Sequence, residues 1–241
     1  MEQILKIAKS REVLRNILKE RDFDTETMPI LSEYEIGKMI ESNVSSDQSA
    51  ELCNFSVPHI EFKEWKTQII YYNFPPSMKN ISKAPITKYI QEYYENNNKE
   101  DNIILILPSN ISTAVETYNG WIESINIELG KPDPDNKLYK DIVANNNYSM
   151  RHMTNVHIFN INSLCVNILD HELVPEHNVI TNNAEIQEIM DKNYINNKSQ
   201  FPIITKNDPI SKILGIAPGD LVEIERPSLS GGISRVYRVC K

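Results

Sequence analysis

His171-Glu172-Leu173-Val174-Pro175-Glu176-His177 opens the last third of this chain and decides how it is read. Two histidines and two glutamates in seven residues suggest a ligand cluster, but their spacing does not suit a metal. Pro175 fixes its own φ and pushes Val174 toward extended geometry. The stretch reads as a rigid extended lead-in to a small domain; the plain alternative is an ordinary linker. Downstream, Thr181 and Asn182 stand before Glu185 as a cap, and Ile186, Ile189 and Met190 give one apolar face of a helix to about Lys192. Phe201 to Thr205 reads as a short strand. Asp208 is an N-cap with Pro209 at the first helical position and Gly215 just past the end, which predicts a helix over 209–214. Pro218-Gly219 suits a type II turn. Leu221 to Arg226 and Ile233 to Val239 form a hairpin around a Ser228-to-Gly232 loop, where Gly231-Gly232 permits positive φ.

The upstream residues predict a small α/β domain. Ile4, Ile7, Ala8, Leu14, Ile17 and Leu18 line one side of residues 2–20, with Lys6, Lys9, Arg11 and Lys19 opposite, an amphipathic helix. Residues 24–58 are mixed, with a short helix over Glu33 to Glu41 and a loop over Asn43 to Ser49. Lys66 to Phe74 is rich in β-branched and aromatic types and stops at Pro75-Pro76, a strand. Pro85 opens a helix carrying Ile86, Tyr89, Ile90 and Tyr93 at i, i+3, i+4, i+7. Ile103 to Leu107 is a continuous apolar run, a strand buried on both faces. Strand, helix and strand make a βαβ unit with a parallel pair. Thr113 with Glu116 has capping-box spacing for a further helix, residues 117–150 read as mostly loop, and Val156 to Phe159 reads as a strand.

Composition narrows the function. The chain has 241 residues, 40% hydrophobic and 24% charged, with a net charge of −8. A protein whose main task is gripping DNA is usually basic, so an autonomous DNA binder is not expected. No run approaches the roughly 20 apolar residues of a membrane helix, and no signal-peptide pattern opens the chain. Cys53, Cys165 and Cys240 are odd in number and far apart, which suits a reducing compartment. The triplets at Asn96 to Asn98 and Asn145 to Asn147 read as solvent-facing loops from an AT-rich coding sequence.

Sites of chemistry are few. His152, His157, Cys165, His171 and His177 fall within 26 positions but show neither CxxC nor HxxxH spacing. Glu61-Phe62-Lys63 has the acid-x-Lys spacing of restriction-type nucleases, without an acidic partner at Val57-Pro58-His59. Cys165 sits in an apolar run and reads as a buried small hydrophobe. Gly231-Gly232 lacks the helix and Lys-Ser/Thr of a phosphate loop. Arg226 and Arg238 suit bidentate ion pairs with another chain, or a local bridge to Glu223 or Glu225 across the hairpin.

Taken in order, His171 to His177, Asn207-Asp208-Pro209, Gly215, Pro218-Gly219, Arg226-Pro227-Ser228 and Tyr237-Arg238 resemble the C-terminal assembly domain of the fifth subunit shared by eukaryotic nuclear RNA polymerases, whose archaeal counterpart keeps only that domain. The resemblance covers about the last 72 residues. It implies an α/β (α+β overall) protein with an N-terminal jaw domain, 1–168, and an assembly domain, 169–241. It implies a non-catalytic subunit of a multisubunit DNA-directed RNA polymerase, in a hetero-oligomer without membrane contact. The assembly domain would dock on the largest subunit, and the jaw would flank downstream duplex DNA. The assembly residues would be His171, Glu172, Leu173, Val174, Pro175, His177, Asp208, Pro209, Gly215, Gly219, Arg226, Pro227, Ser228, Tyr237 and Arg238. No cofactor, metal or catalytic residue is implied, since the Mg²⁺ chemistry would belong to the large subunits. The location would be the nucleus, or the virion or host cytoplasm for a large-DNA-virus copy. The competing readings are a restriction-fold nuclease built on the N-terminal α/β unit and a free-standing adaptor.

Overall fold

The computed structural model describes residues 2–43, 49–61, 63–74, 83–96, 102–108, 156–206, 208–228 and 231–241. These fall into two compact units, one holding 2–108 with 156–167 and the other 168–241. Each mixes helix and strand, so the fold class is α/β in the α+β sense. The helix expected at Thr113 and the loop over 117–150 lie outside the described residues.

In the first unit, α1 (Glu2–Glu20) forms where the apolar spacing places it and buries Ile7, Val13, Leu14, Ile17 and Leu18. Ser10 and Arg11 are buried with them. The helix α2 (Glu33–Ser42) starts at a capping box: Ser32 Oγ accepts from the Glu35 amide, and Glu35 Oε2 accepts from the Ser32 amide at 2.8 Å. A strand not evident from the sequence, β1 (Phe55–Pro58), pairs antiparallel with β2 (Lys66–Tyr71). The helix α3 (Lys83–Asn96) then crosses over to β3 (Asn102–Leu107), which runs parallel to β2, and β4 (Val156–Asn160) runs parallel to β3. The sheet order is β1-β2-β3-β4. Every residue of β3 is buried, as its apolar run requires of a strand covered on both faces. Ile86 and Ile90 of α3 enter one cluster with Ile70, Tyr72, Ile103, Leu105, Leu107 and Val156. The strand β2 stops at Tyr71 rather than Phe74, because Asn73 takes a left-handed φ of 60° that no strand tolerates.

The second unit begins with a 3-10 turn at Ile168–Asp170 and continues as β5 (Glu176–Ile180), α4 (Asn183–Lys192), β6 (Ile203–Ile204), α5 (Pro209–Leu214), β7 (Leu221–Ser228) and β8 (Gly232–Cys240). The sheet order is β5-β7-β8-β6, with only the β6–β8 pair parallel. One face is closed by Ile186, Ile189 and Met190 of α4 with Phe201, Ile180, Leu221 and Val239. The other is closed by Ile210 and Leu214 of α5 with Ile204, Ile216, Val222, Ile224 and Cys240, against which Ile168, Leu169, Val174 and Val179 pack. Three expectations change here. The strand expected over 201–205 is only two residues long. The hairpin strands are longer than expected, and of the two loop glycines only Gly232, φ 76°, needs the positive φ. Residues 171–174 fold as a turn, so the heptapeptide His171 to His177 is a turn followed by a strand, not an extended lead-in.

Candidate functional site

His171 builds the turn with three of its own groups. Its amide donates to Ile168 O at 3.2 Å, its carbonyl accepts from the Val174 amide at 2.8 Å, and its Nδ1 accepts from the Leu173 amide at 3.2 Å. The accepting Nδ1 carries no proton. His177 is used in the opposite sense: its Nδ1–H donates to Pro175 O at 2.6 Å, since a carbonyl only accepts. Both histidines therefore shape their own segment. Val174 is half-buried against the core while Leu173, one residue earlier, is 84% exposed. Glu172 is exposed beside it.

The register of β5 places this turn. Glu176 lies opposite Glu225 and His177 opposite Ile224, so the chain before β5 and the stretch Arg226-Pro227-Ser228 lie at the same end of the sheet. Arg226 and Pro227 are exposed there. Asp208 and Gly219 lie at the other end, by Lys241: the Asp208 amide donates to Thr205 O, the Lys206 amide to Lys241 O, and the Gly219 amide to Cys240 O. The assembly residues expected from the sequence are thus split between the two ends. Asp208, Pro209, Gly215 and Gly219 shape backbone. Asp208 Oδ1 accepts from the Ile210 amide at 2.9 Å, Pro209 opens α5, and Gly215 closes it at φ 66°. Gly219 holds φ 92° in a turn closed by the Asp220 amide on Ala217 O. Asp220, not singled out in the sequence, completes it: its buried Oδ2 accepts from the Ala217 amide at 2.9 Å. The Pro-Gly-Asp order was the available signal.

Within the hairpin, the local bridge to Glu223 and Glu225 is made by an arginine other than Arg226 or Arg238. Pairing of Glu223 with Tyr237 and Glu225 with Arg235 puts these four side chains on one face, and strand alternation puts Arg226 and Arg238 on the other. The local bridge is made by Arg235, whose Nε lies 2.8 Å from Glu225 Oε1 and 3.8 Å from Glu223 Oε1. Tyr237 Oη donates to Glu223 Oε1 at 2.8 Å. Burial, and then the bond to Glu223, push its hydroxyl up to about 12. Arg238 donates to Ile203 O at 3.2 Å. Arg226 makes no ion pair among the described residues.

The sites of chemistry weighed in the sequence do not converge. Glu61 and Lys63 lie in the connection between β1 and β2, not on a strand, and the Glu61 amide donates to His59 Nδ1 at 3.2 Å. His59 sits edge-on between Phe23 and Trp65. Cys165, expected to be buried, is only half-buried in a bend, with its thiol toward Ile161 O at 3.2 Å. His157 is buried in β4, and His152 lies outside the described residues. Among the described residues no group of three or more His, Cys, Asp or Glu side chains is placed to hold a metal ion.

Comparison with known proteins meets this geometry at the second unit. A family model described as "RNA polymerase Rpb5, C-terminal domain" matches residues 166–240. DNA-directed RNA polymerase subunit Rpo5 of Methanosarcina acetivorans is 40% identical over 72 residues, 30% of this chain and 90% of the relative. The chain belongs to the RNA polymerase Rpb5 family. A second archaeal member, subunit Rpo5 of Pyrococcus abyssi, is 41% identical over 73 residues, 30% of this chain and 87% of its own length. An Rpb5-family relative in Dictyostelium discoideum, "DNA-directed RNA polymerases I, II, and III subunit rpabc1", is 25% identical over 240 residues and aligns along 100% of both chains. The archaeal relatives thus match 30% of the chain, whereas the Dictyostelium relative aligns along all of it.

Proposed function

We propose that this chain is an accessory, non-catalytic subunit of a multisubunit DNA-directed RNA polymerase. The observation that carries the reading is the end-to-end alignment with a protein named as a subunit of RNA polymerases I, II and III, joined to the higher identity with archaeal polymerase subunits over 72 and 73 residues. In this reading 169–241 docks on the largest subunit, using the end of the sheet where the His171 turn and Arg226-Pro227-Ser228 lie together. Residues 1–168 form part of a jaw beside downstream duplex DNA. A net charge of −8 suits a neighbour of DNA better than a grip on it. Phosphoryl-transfer chemistry rests with other subunits, and a nuclear polymerase would hold the protein in the nucleus. The names of the relatives favour this reading over a nuclease, as does the position of Glu61 and Lys63 in a connection.

The experiment is purification of the tagged full chain from cells that contain the polymerase. The two large polymerase subunits should co-purify in comparable amounts, with RNA synthesis on a DNA template. A preparation holding the tagged chain but neither large subunit would overturn the reading.

A further inference from the structure

The strand β8 has one side covered along its length and the other mostly bare. β7 pairs with it from Gly232 to Val239. On the opposite side β6 covers only Val239 and Cys240. Before Val239 no strand lies on that side among the described residues. The hydrogen bonds show which backbone groups this leaves over. The Cys240 amide donates to Asp220 O and its carbonyl accepts from the Gly219 amide, both toward β7. The Val239 and Lys241 amides donate the other way, to Pro202 O and Ile204 O. Alternation carries this pattern back along the strand. The amides and carbonyls of Ile233, Arg235 and Tyr237 therefore point away from β7, and no described residue bonds them.

A bare edge pairs readily with another strand, and proteins blunt it with a proline, a lysine or a bulge. Ile233 to Tyr237 has none of these: its register with β7 is continuous, and Ile233 is 65% exposed. The one charge on the stretch, Arg235, is held by Glu225 at 2.8 Å. The two faces beside this edge differ in charge. The registers put Glu176, Glu223 and Glu225 with Arg235 on one face. The other face carries Arg226 and Arg238 and no acidic residue of the sheet. Neither arginine makes an ion pair among the described residues, and Arg238 only donates to Ile203 O at 3.2 Å. A second copy of the chain suits the edge poorly, because antiparallel pairing about Arg235, the middle of the bare stretch, sets like charges opposite each other.

We propose that the bare edge of β8, Ile233 to Tyr237, is a binding site for an extended segment of a partner protein in which acidic and apolar residues alternate. The segment adds to the sheet in line with β6, bonding the outward amides and carbonyls of Ile233, Arg235 and Tyr237. Its acidic side chains lie on the face of Arg226 and Arg238, and its apolar side chains lie beside Ile233. The inference goes beyond the polymerase-subunit reading and does not depend on it.

The test measures amide hydrogen exchange by NMR on the full chain, alone and with synthetic peptides long enough to span Ile233 to Tyr237. One peptide alternates Val and Glu, the other Val and Lys. In the free chain the amides of Arg235 and Tyr237 should exchange faster than those of Val236 and Arg238. The Val-Glu peptide should slow Arg235 and Tyr237 at least about tenfold, and the Val-Lys peptide should leave them unchanged. Arg226→Glu combined with Arg238→Glu should reverse that preference. Arg235→Pro should abolish binding, since proline is tolerated where an edge amide makes no bond but offers no donor to a new strand. Arg235→Ala, which loses the same bridge to Glu225, should still bind. If the proline variant unfolds, the charge reversal decides. Exchange at Arg235 in the free chain as slow as at Val236, or no slowing by the Val-Glu peptide at about millimolar concentration, overturns the site. Equal slowing by both peptides overturns the acidic partner. None of these results touches co-purification with the large polymerase subunits, so that reading stands or falls separately.

Discussion

Replacing Arg11 with Met should destabilise the first unit by about 3 kcal/mol. Arg11 is 5% exposed, and its guanidinium donates to Cys53 O at 2.8 Å and to Pro29 O at 2.9 Å while lying 4.3 Å over the Phe55 ring. Among the described residues no carboxylate pairs with it, and burial holds its pKa below the ordinary arginine value. Methionine fills similar space but leaves two carbonyls without a charged donor, at about 1.5 to 3 kcal/mol each. Loss of the cation–π contact adds about 1 kcal/mol. Removing the charge returns part of its burial penalty, about 2 kcal/mol. The balance lies at about 2 to 5 kcal/mol, from which the expectation of about 3 is drawn. Both tryptophans, Trp65 and Trp121, precede residue 168, so their fluorescence reports on the N-terminal part of the chain. In urea the fluorescence midpoint should fall by about 1 to 2 M, at a slope of about 2 kcal/mol per M. Arg11→Lys should recover less than half of the loss, since one ammonium cannot serve both carbonyls and the ring. A Met variant with the wild-type midpoint, or a Lys variant that restores it fully, would show that the two carbonyl bonds contribute nothing.

Backbone handedness offers a paired check on the second unit. Gly215→Ala, at φ 66°, should cost about 1 kcal/mol, whereas Tyr194→Gly, at φ 55° with a ring 94% exposed, should gain about 0.5 to 1 kcal/mol; opposite shifts in the unfolding midpoint are required. Alkaline pH should also destabilise this unit. Burial pushes the Cys240 thiol up to about 11, so above the ordinary thiol value of about 8.5 the unfolded chain ionises first and stability declines until the folded thiol titrates. Cys240→Ala should flatten that decline in denaturant midpoints measured from neutral to alkaline pH; an unchanged slope would rule the thiol out.

What could be read from the sequence was what depends on local periodicity and capping. The apolar run Ile103 to Leu107 and the spacing of Ile86 and Ile90 yield the βαβ unit without further information. Asp208, Pro209 and Gly215 bound α5 because each satisfies a local geometric demand. What escaped depends on contacts made far along the chain. Phe55 to Pro58 is a strand because Ile69 and its neighbours lie beside it. Glu176 to Ile180 is a strand because β7 offers an edge. The stretch His171 to His177 was legible as residues but not as geometry. Its histidines were visible, whereas the opposite hydrogen-bonding roles of their Nδ1 atoms, and the division of Val174 from Leu173, arise only when the turn closes. The arginines show the same limit: alternation along β8 hands the bridge to Arg235, which attracted no notice in the sequence.

Because β5 begins opposite Glu225, the pairs from Arg226–Ser234 to Ser228–Gly232 continue the hairpin with no third strand beside them among the described residues, and most of these residues are exposed. In β3 every position is enclosed. Within their own units, these elements mark opposite extremes of hydrogen exchange. The hairpin tip opens by local fluctuation at little cost, whereas β3 gives up its amides only when its unit unfolds. A partner that covers the tip would thus leave its mark as slowed exchange at Arg226 and Ser234 while the β3 amides stay unchanged, and the tip's entropy is lost at the moment of assembly, not at the moment of folding.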